Sequence, residues 1–130
     1  MNTMASVNAT ESIAISAVNI CANVHGKPIL HQLTAHFAAG RWTSIVGPNG
    51  AGKSSLLKVL SGLWPQHSVE GDVQLLGQPL GSWPRKRRAQ AMAWLGQGEM
   101  VTEDLSTLDV VMLGRLPHQP WLASPSSEDH

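Results

Sequence analysis

The stretch Gly47 to Leu57, GPNGAGKSSLL, constrains this chain more than any other. Its glycines, a proline and an asparagine come directly before a lysine, two serines and a run that reads as helix. The spacing is G-x-x-x-x-G-K-[ST], with Gly47, Gly52, Lys53 and Ser54 in the fixed places. Glycine lets the backbone turn so that successive N–H groups point inward at a phosphate. Lys53 reaches the outer phosphates as a point charge. Ser54 offers a hydroxyl to Mg²⁺, a cation that takes few protein ligands and prefers phosphate oxygens and water. The helix that follows aims its positive end at the same anion. The candidate phosphate-binding residues are therefore Gly47, Pro48, Asn49, Gly50, Ala51, Gly52, Lys53, Ser54 and Ser55, and the ligand they suit is a nucleoside triphosphate.

The neighbourhood has the order that such a loop requires. Trp42 to Gly47 (WTSIVG) reads as a short buried strand, with Ile45 and Val46 leading into the turn. Lys53 to Leu63 reads as a helix, with Leu56, Leu57, Leu60 and Leu63 at helical spacing and Gly62 at its end. Two strands come earlier, Ser12 to Ala22 and Ile29 to Ala38, joined by a turn at 25–28 (HGKP). After a loop over 63–71, the segment 72–80 reads as a short strand with a Gly-Gln-Pro turn. A helix is expected over 82–92 with Pro84 in its first turn, and a buried strand over 91–97, ending on Gln97. Residues 106–117 read as a helix opened by Ser106 and Asp109 as a capping box. The leader (1–11) and the Pro- and Ser-rich end are expected to be disordered.

Composition sets outer limits. The length allows one domain with a real core. Nine basic and nine acidic residues cancel, so no global field favours nucleic acid or membrane. The RKRR run at 85–88 is then read as a solvated helix face. The single cysteine, Cys21, excludes an intrachain disulfide and reads as a core filler. No apolar run reaches transmembrane length. His31 and His36, five apart on a strand, fall on opposite faces and do not suit a metal. Trp83 and Trp94 read as packing residues.

The blocks in this order resemble the ATP-binding subunits of ABC transporters. GPNGAGKSSLLKVLSGL looks like their Walker A segment, and GKPILHQLTAHFAAGRWTSIVG like their N-terminal antiparallel strands. EGDVQLLGQPL looks like the following hairpin, RAQAMAWLGQ like the strand into the Q-loop, and TLDVVMLGRLPHQ like the start of the helical subdomain. The likeness is greatest to importers of iron–siderophore, haem and cobalamin type, and it covers nearly all of residues 12–130.

The resemblance implies an α/β P-loop NTPase fold: an antiparallel β subdomain plus an incomplete parallel core sheet with the P-loop helix. It implies an ABC core over 12–105 and the start of a helical subdomain over 106–130. It makes ATP with Mg²⁺ the ligand and Gln97 the Q-loop glutamine, with Ser54 and Gln97 on the metal. Expected partners are a second ATP-binding subunit, transmembrane permease subunits reached through the Q-loop region and, indirectly, a periplasmic substrate-binding protein. Such a subunit lies on the cytoplasmic face of the inner membrane.

The sequence also departs from that pattern. It contains no LSGGQ-type signature and no four-residue apolar run ending in Asp-Glu, so neither Walker B nor the catalytic glutamate is present, and no catalytic residue is assigned. This is the pattern of an N-terminal half. Val24, with His25 beside it, stands where the family places an adenine-stacking aromatic, and Gly96 precedes the Q-loop glutamine in place of proline. The other reading is a nucleotide-binding remnant or a non-transport P-loop protein without turnover. A small-molecule kinase would need a lid, and only Arg115 follows residue 97.

Overall fold

The computed structural model describes residues 12–96 and 106–119. The chain divides into two compact units, Met1–Trp83 and Pro84–His130.

The first unit is built on an antiparallel sheet. Strands β1 (Ile13–Val24) and β2 (Lys27–Ala38) form a long hairpin. Only His25 and Gly26 join them, at φ 47° and 76°. Positive φ at both central positions is the type I′ geometry, whose twist matches that of the flanking strands. The turn is thus tighter than expected, and Lys27 and Pro28 already belong to β2. Strand β3 (Val69–Leu75) pairs with the other edge of β1, and β4 (Gln78–Pro79) pairs with β3 across Leu76 and Gly77. The order is β2-β1-β3-β4.

One sheet face carries the core. Ala17, Ile20, Ala22 and Leu30 are buried there. The step from Ala17 to Ile20 breaks the period of two that a strand requires. The cause is a bulge: Asn19 has φ 53°, and the β1–β2 register shifts between Ala17 and Ile20. One extra residue swaps the inward and outward sets. Gln32, at φ 44°, does the same in β2, so Leu30 faces the core before it and Leu33 and Phe37 after it. The displaced amides find side-chain acceptors. Asn19 N–H donates to Thr34 Oγ1 at 3.0 Å, and Gln32 N–H donates to Cys21 Sγ at 3.3 Å. Cys21 is therefore a half-buried acceptor opposite Glu70, not a core filler. His31 and His36 fall on the same outer face, because Gln32 inserts the extra residue between them. Among the described residues no group of His, Cys, Asp or Glu gathers for a metal.

Helix α1 (Lys53–Leu60) lays Leu56, Val59 and Leu60 on this core. It stops earlier than the sequence predicts. Gly62, at φ 70°, closes a Schellman motif: its N–H donates to Val59 O at 3.0 Å, and Leu63 N–H donates to Lys58 O at 2.9 Å. Leu57 and Leu63, expected inside, are 43% and 54% exposed. Leu57 lies about 100° round the helix from Leu56, and Leu63 lies beyond the cap. Val59 takes the inner position instead.

Two expected strands do not form. Residues 41–48 have no ladder, with Trp42 95% and Val46 87% exposed; only Ile45 packs against the core. Residues 92–96 are likewise without a ladder, and Leu95 is 97% exposed. A strand needs a neighbouring strand for its N–H and C=O groups, and neither segment pairs with a strand among the described residues. The antiparallel sheet and P-loop helix are present, but a parallel core sheet is not formed among the described residues.

The second unit holds α2 (Arg85–Ala91) and α3 (Thr107–Leu113). Both are shorter than expected. Pro84 is the N-cap of α2 and not in its first turn, while α3 gives way at Gly114 to a 3₁₀ turn over Leu116–His118. Ser106 and Asp109 form the expected capping box. Gln90 Nε2 donates to Pro117 O at 2.8 Å and Lys86 Nζ to Gln119 O at 3.1 Å, tying α2 to that turn. Arg85, Lys86 and Arg87 are exposed, whereas Arg88 is half-buried, so the solvated face covers three of the four residues of the RKRR run. The leader and residues 120–130 lie outside the described residues. No described helix is long and apolar enough to cross a membrane.

Candidate functional site

The loop from Gly47 to Gly52 carries two left-handed glycines, Gly50 at φ 82° and Gly52 at φ 84°. Ala51 N–H closes a turn onto Pro48 O at 3.2 Å. Gly52 must be glycine for a second reason. A Cβ there would stand 2.9 Å from Leu30 Cδ2 and 3.2 Å from Ile29 O. The loop is thus pressed against the start of β2, a contact that no local sequence signal announces.

Gly52 is also the N-cap of α1. It offers no side chain to cap the helix, and the first turn contains no acidic residue. The first intrahelical bond is Leu56 N–H to Gly52 O at 2.8 Å. The amides of the first turn ahead of it lack intrahelical acceptors by construction, and the helix dipole adds positive potential there. Ser54 is exposed in that turn and Ser55 half-buried.

Lys53 folds back across the loop. Its ammonium donates to Gly47 O at 2.8 Å and to Pro48 O at 2.7 Å. An ammonium has three donors, so a third remains for an incoming oxygen. The carbonyls fix the charge at the mouth of the loop and hold Gly47 and Pro48 in place. Glycine amides, an uncapped helix end and a positioned ammonium together form a cradle for a polyanion. Ser54 adds one hard oxygen donor beside it, which fits a cation that keeps most of its ligands as phosphate oxygen and water.

Gly47 to Ser55 thus form one continuous loop and helix start. Gln97 lies outside the described residues. Val24 ends β1 half-buried, and His25 sits exposed in the hairpin turn. Both line an open cavity with Lys58 and Trp64, and no residue of the 47–55 loop lines it. Sequence reasoning missed Lys58 and Trp64, since nothing in their local pattern marks them.

The ABC transporter family model matches residues 30–126. The hemin import ATP-binding protein HmuV of Plesiomonas shigelloides is 42% identical over 92 residues, covering 71% of this chain and 34% of that protein. HmuV of Shewanella denitrificans is 39% identical over 103 residues, 79% of this chain and 39% of that protein. HmuV of Gloeobacter violaceus is 36% identical over 108 residues, 83% of this chain and 38% of that protein. The chain therefore spans little more than a third of the length of these relatives. Among solved structures, a bacterial Atm1-family ABC exporter with ATP bound is 27% identical, with a TM-score of 0.47, covering 62% of this chain and 14% of that one. The family match takes in most of β2, the glycine loop, α1, β3, β4, α2 and α3, and on that extent the chain belongs to the ABC transporter family.

Proposed function

We propose that these 130 residues form the nucleotide-binding N-terminal part of the ATP-binding subunit of an ABC importer. The observation that carries this reading is the Lys53 ammonium, held on the carbonyls of Gly47 and Pro48 at an uncapped helix N-terminus. Gly47 to Ser55 bind the phosphates of ATP. Ser54 would hold Mg²⁺, and Gln97 would meet the same ion from the Q-loop. The metal supplies charge neutralisation on the phosphates when bound; the chain's own part is to orient them. Residues 12–105 are assigned to the ABC core and 106–130 to the start of the helical subdomain.

The cargo follows from the names of the relatives. They are hemin import proteins, so the proposed cargo is a metal chelate, with hemin ahead of iron–siderophore and cobalamin. The proposed partners are a second ATP-binding subunit and permease subunits contacted near Gln97. A substrate-binding protein is reached through the permease, and the subunit sits on the cytoplasmic membrane face.

The 130-residue polypeptide alone binds ATP but does not turn it over. Phosphoryl transfer needs the lysine, a firmly held Mg²⁺ and a group that orients the attacking water. The sequence has the first and part of the second, but no Asp-Glu after an apolar run. Loss of a positioned base costs about 10²–10⁴ in rate. Calorimetry with Mg-ATP tests binding. Lys53→Ala removes a charge-assisted bond of about 1.5–3 kcal/mol, so affinity falls about ten- to a hundredfold. Equal affinity of the two proteins would overturn the site. Phosphate release well above background that vanishes in Lys53→Ala would overturn the claim of no turnover.

A further inference from the structure

Gly47, Gly50 and Gly52 of the phosphate loop differ in what surrounds them. A Cβ at Gly50 would meet nothing within 4 Å, and one at Gly47 would meet only Ala51 Cβ and Lys53 Cδ, which belong to the loop and helix start themselves. A Cβ at Gly52 would meet β2, with Leu30 Cδ2 nearest at 2.9 Å and Ile29 O next at 3.2 Å. The Gly52 carbonyl accepts the first bond of α1, from Leu56 N–H. Its place therefore sets the direction of the first-turn amides. Glycine at φ 84° does not hold itself there, because its backbone moves freely between positive and negative φ. It carries no side-chain cap either. The support comes from outside the loop. Ile29 O is backbone and stays whatever the side chain, so the Leu30 methyl is the part of that support that the sequence chooses. Leu30 is itself firmly held: it is 5% exposed, pairs with Ala22 of β1, and shares the core cluster with Leu56, Val59 and Leu60.

We propose that Leu30 is a positioning residue of the phosphate cradle: its Cδ2 methyl seats Gly52 and so fixes where the amides at the start of α1 point. This role rests on the reading of Gly47 to Ser55 as the site of the ATP phosphates. A site that binds through several aligned donors needs them placed to about 0.5 Å, and a strand is a firmer platform for that than a loop. Shortening Leu30 opens a methyl-sized space under Gly52. A permissive residue drifts into such a space, and the amides of Lys53, Ser54 and Ser55 turn with it. Affinity for the phosphates falls even though the Lys53 ammonium keeps Gly47 O and Pro48 O.

The test is calorimetry of the 130-residue chain with Mg-ATP, at a temperature where circular dichroism shows every variant folded. Leu30→Val, which lacks the Cδ methyls, should weaken binding about fivefold, less than the loss of a whole charge-assisted bond. Leu30→Met conserves volume and should bind within about twofold of the parent. Ile20→Val removes a methylene from a fully buried position of the same core and should leave the affinity unchanged, which separates positioning from loss of stability. Hydrogen exchange of the free chain gives a second reading that needs no nucleotide. In Leu30→Val the amide of Leu56, bonded to Gly52 O, should exchange about fivefold faster relative to that of Leu60 at the far end of α1. In Ile20→Val that ratio should not move. A parent that binds no Mg-ATP, or binds it no better than Lys53→Ala does, would overturn the nucleotide reading and this role with it. With that reading intact, equal affinity of Leu30→Val and the parent, a comparable loss in Leu30→Met or Ile20→Val, or an unchanged Leu56 ratio would overturn the role of Leu30 alone.

Discussion

The β1–β2 hairpin and the segment 41–48 are both rich in strand-forming residues, and they have opposite fates. In the hairpin, Ala17, Ile20 and Ala22 are fully buried and most of β1 pairs with β2 on either side of the bulge. In the segment before the P-loop, Trp42 and Val46 face outward and no ladder forms. The difference lies in where the partner is. β1 finds β2 across a two-residue turn and β3 within the same unit. The 41–48 segment forms no strand ladder with any described residue. Apolar pattern makes a segment able to be a strand; an available edge makes it one.

The largest effect that tests this contrast is at Gly71. It has φ 102°, and a Cβ there would stand 2.5 Å from Asn19 O and 2.7 Å from Val18 O. The β1 bulge needs that space, so Gly71→Val should cost about 3 kcal/mol or more. Urea unfolding reads it, and a cost below about 1 kcal/mol would mean that the bulge is not held as described. Next comes Ile20→Ala, which empties a fully buried position and should cost about 2–5 kcal/mol. The paired substitution, Val46→Thr in the unpaired segment, should stay within about 0.5 kcal/mol and improve solubility by blunting an open apolar edge. Similar costs for the two would erase the contrast.

The smallest effect lies in the second unit. Hydrogen bonds from the Ser106 hydroxyl and backbone N–H hold the Asp109 carboxyl below its usual range. A depressed folded-state value means that its stabilisation is complete above the unfolded value and is lost as pH falls through the folded one. The helix signal of α3 should therefore weaken as pH falls below the ordinary aspartate range, and Asp109→Asn should abolish that dependence. Circular dichroism of wild type and variant across this range checks it; identical profiles would remove the capping box as the cause.

The legible parts of the molecule were those with local chemistry. Ser106 and Asp109 announce a cap by spacing alone, Gly47 to Ser54 announce a glycine loop running into a helix, and Gly26 marks a turn. The bulges at Asn19 and Gln32 were not legible, because neither residue is a glycine and their positive φ comes from matching register across strands. For the same reason the faces of Cys21, His31 and His36 were misjudged. Leucine spacing puts Leu57 and Leu63 with Leu56 and Leu60, but Leu57 sits about 100° round the helix from Leu56 and Leu63 lies beyond the end that Gly62 sets. In the candidate site, the contact of Gly52 with Leu30 is tertiary and leaves no trace in the loop's own sequence. The strand readings at 42–47 and 91–97 rested on apolar content and could not register the lack of a partner.

Hydrogen exchange with and without Mg-ATP tests the phosphate cradle most directly, because it reads individual amides. Apart from Ala51, whose N–H already bonds Pro48 O, the amides of Gly50 to Ser55 should exchange fast in the free chain and gain protection on adding Mg-ATP. Those of Ile15 to Ala17 and of Ala22, which pair with both β2 and β3, should not change. In Lys53→Ala the gain at Gly50 to Ser55 should largely disappear at the same ATP concentration. Protection appearing elsewhere with none at Gly50 to Ser55, or no change at any amide at saturating Mg-ATP, would contradict the assignment of the loop as the nucleotide site.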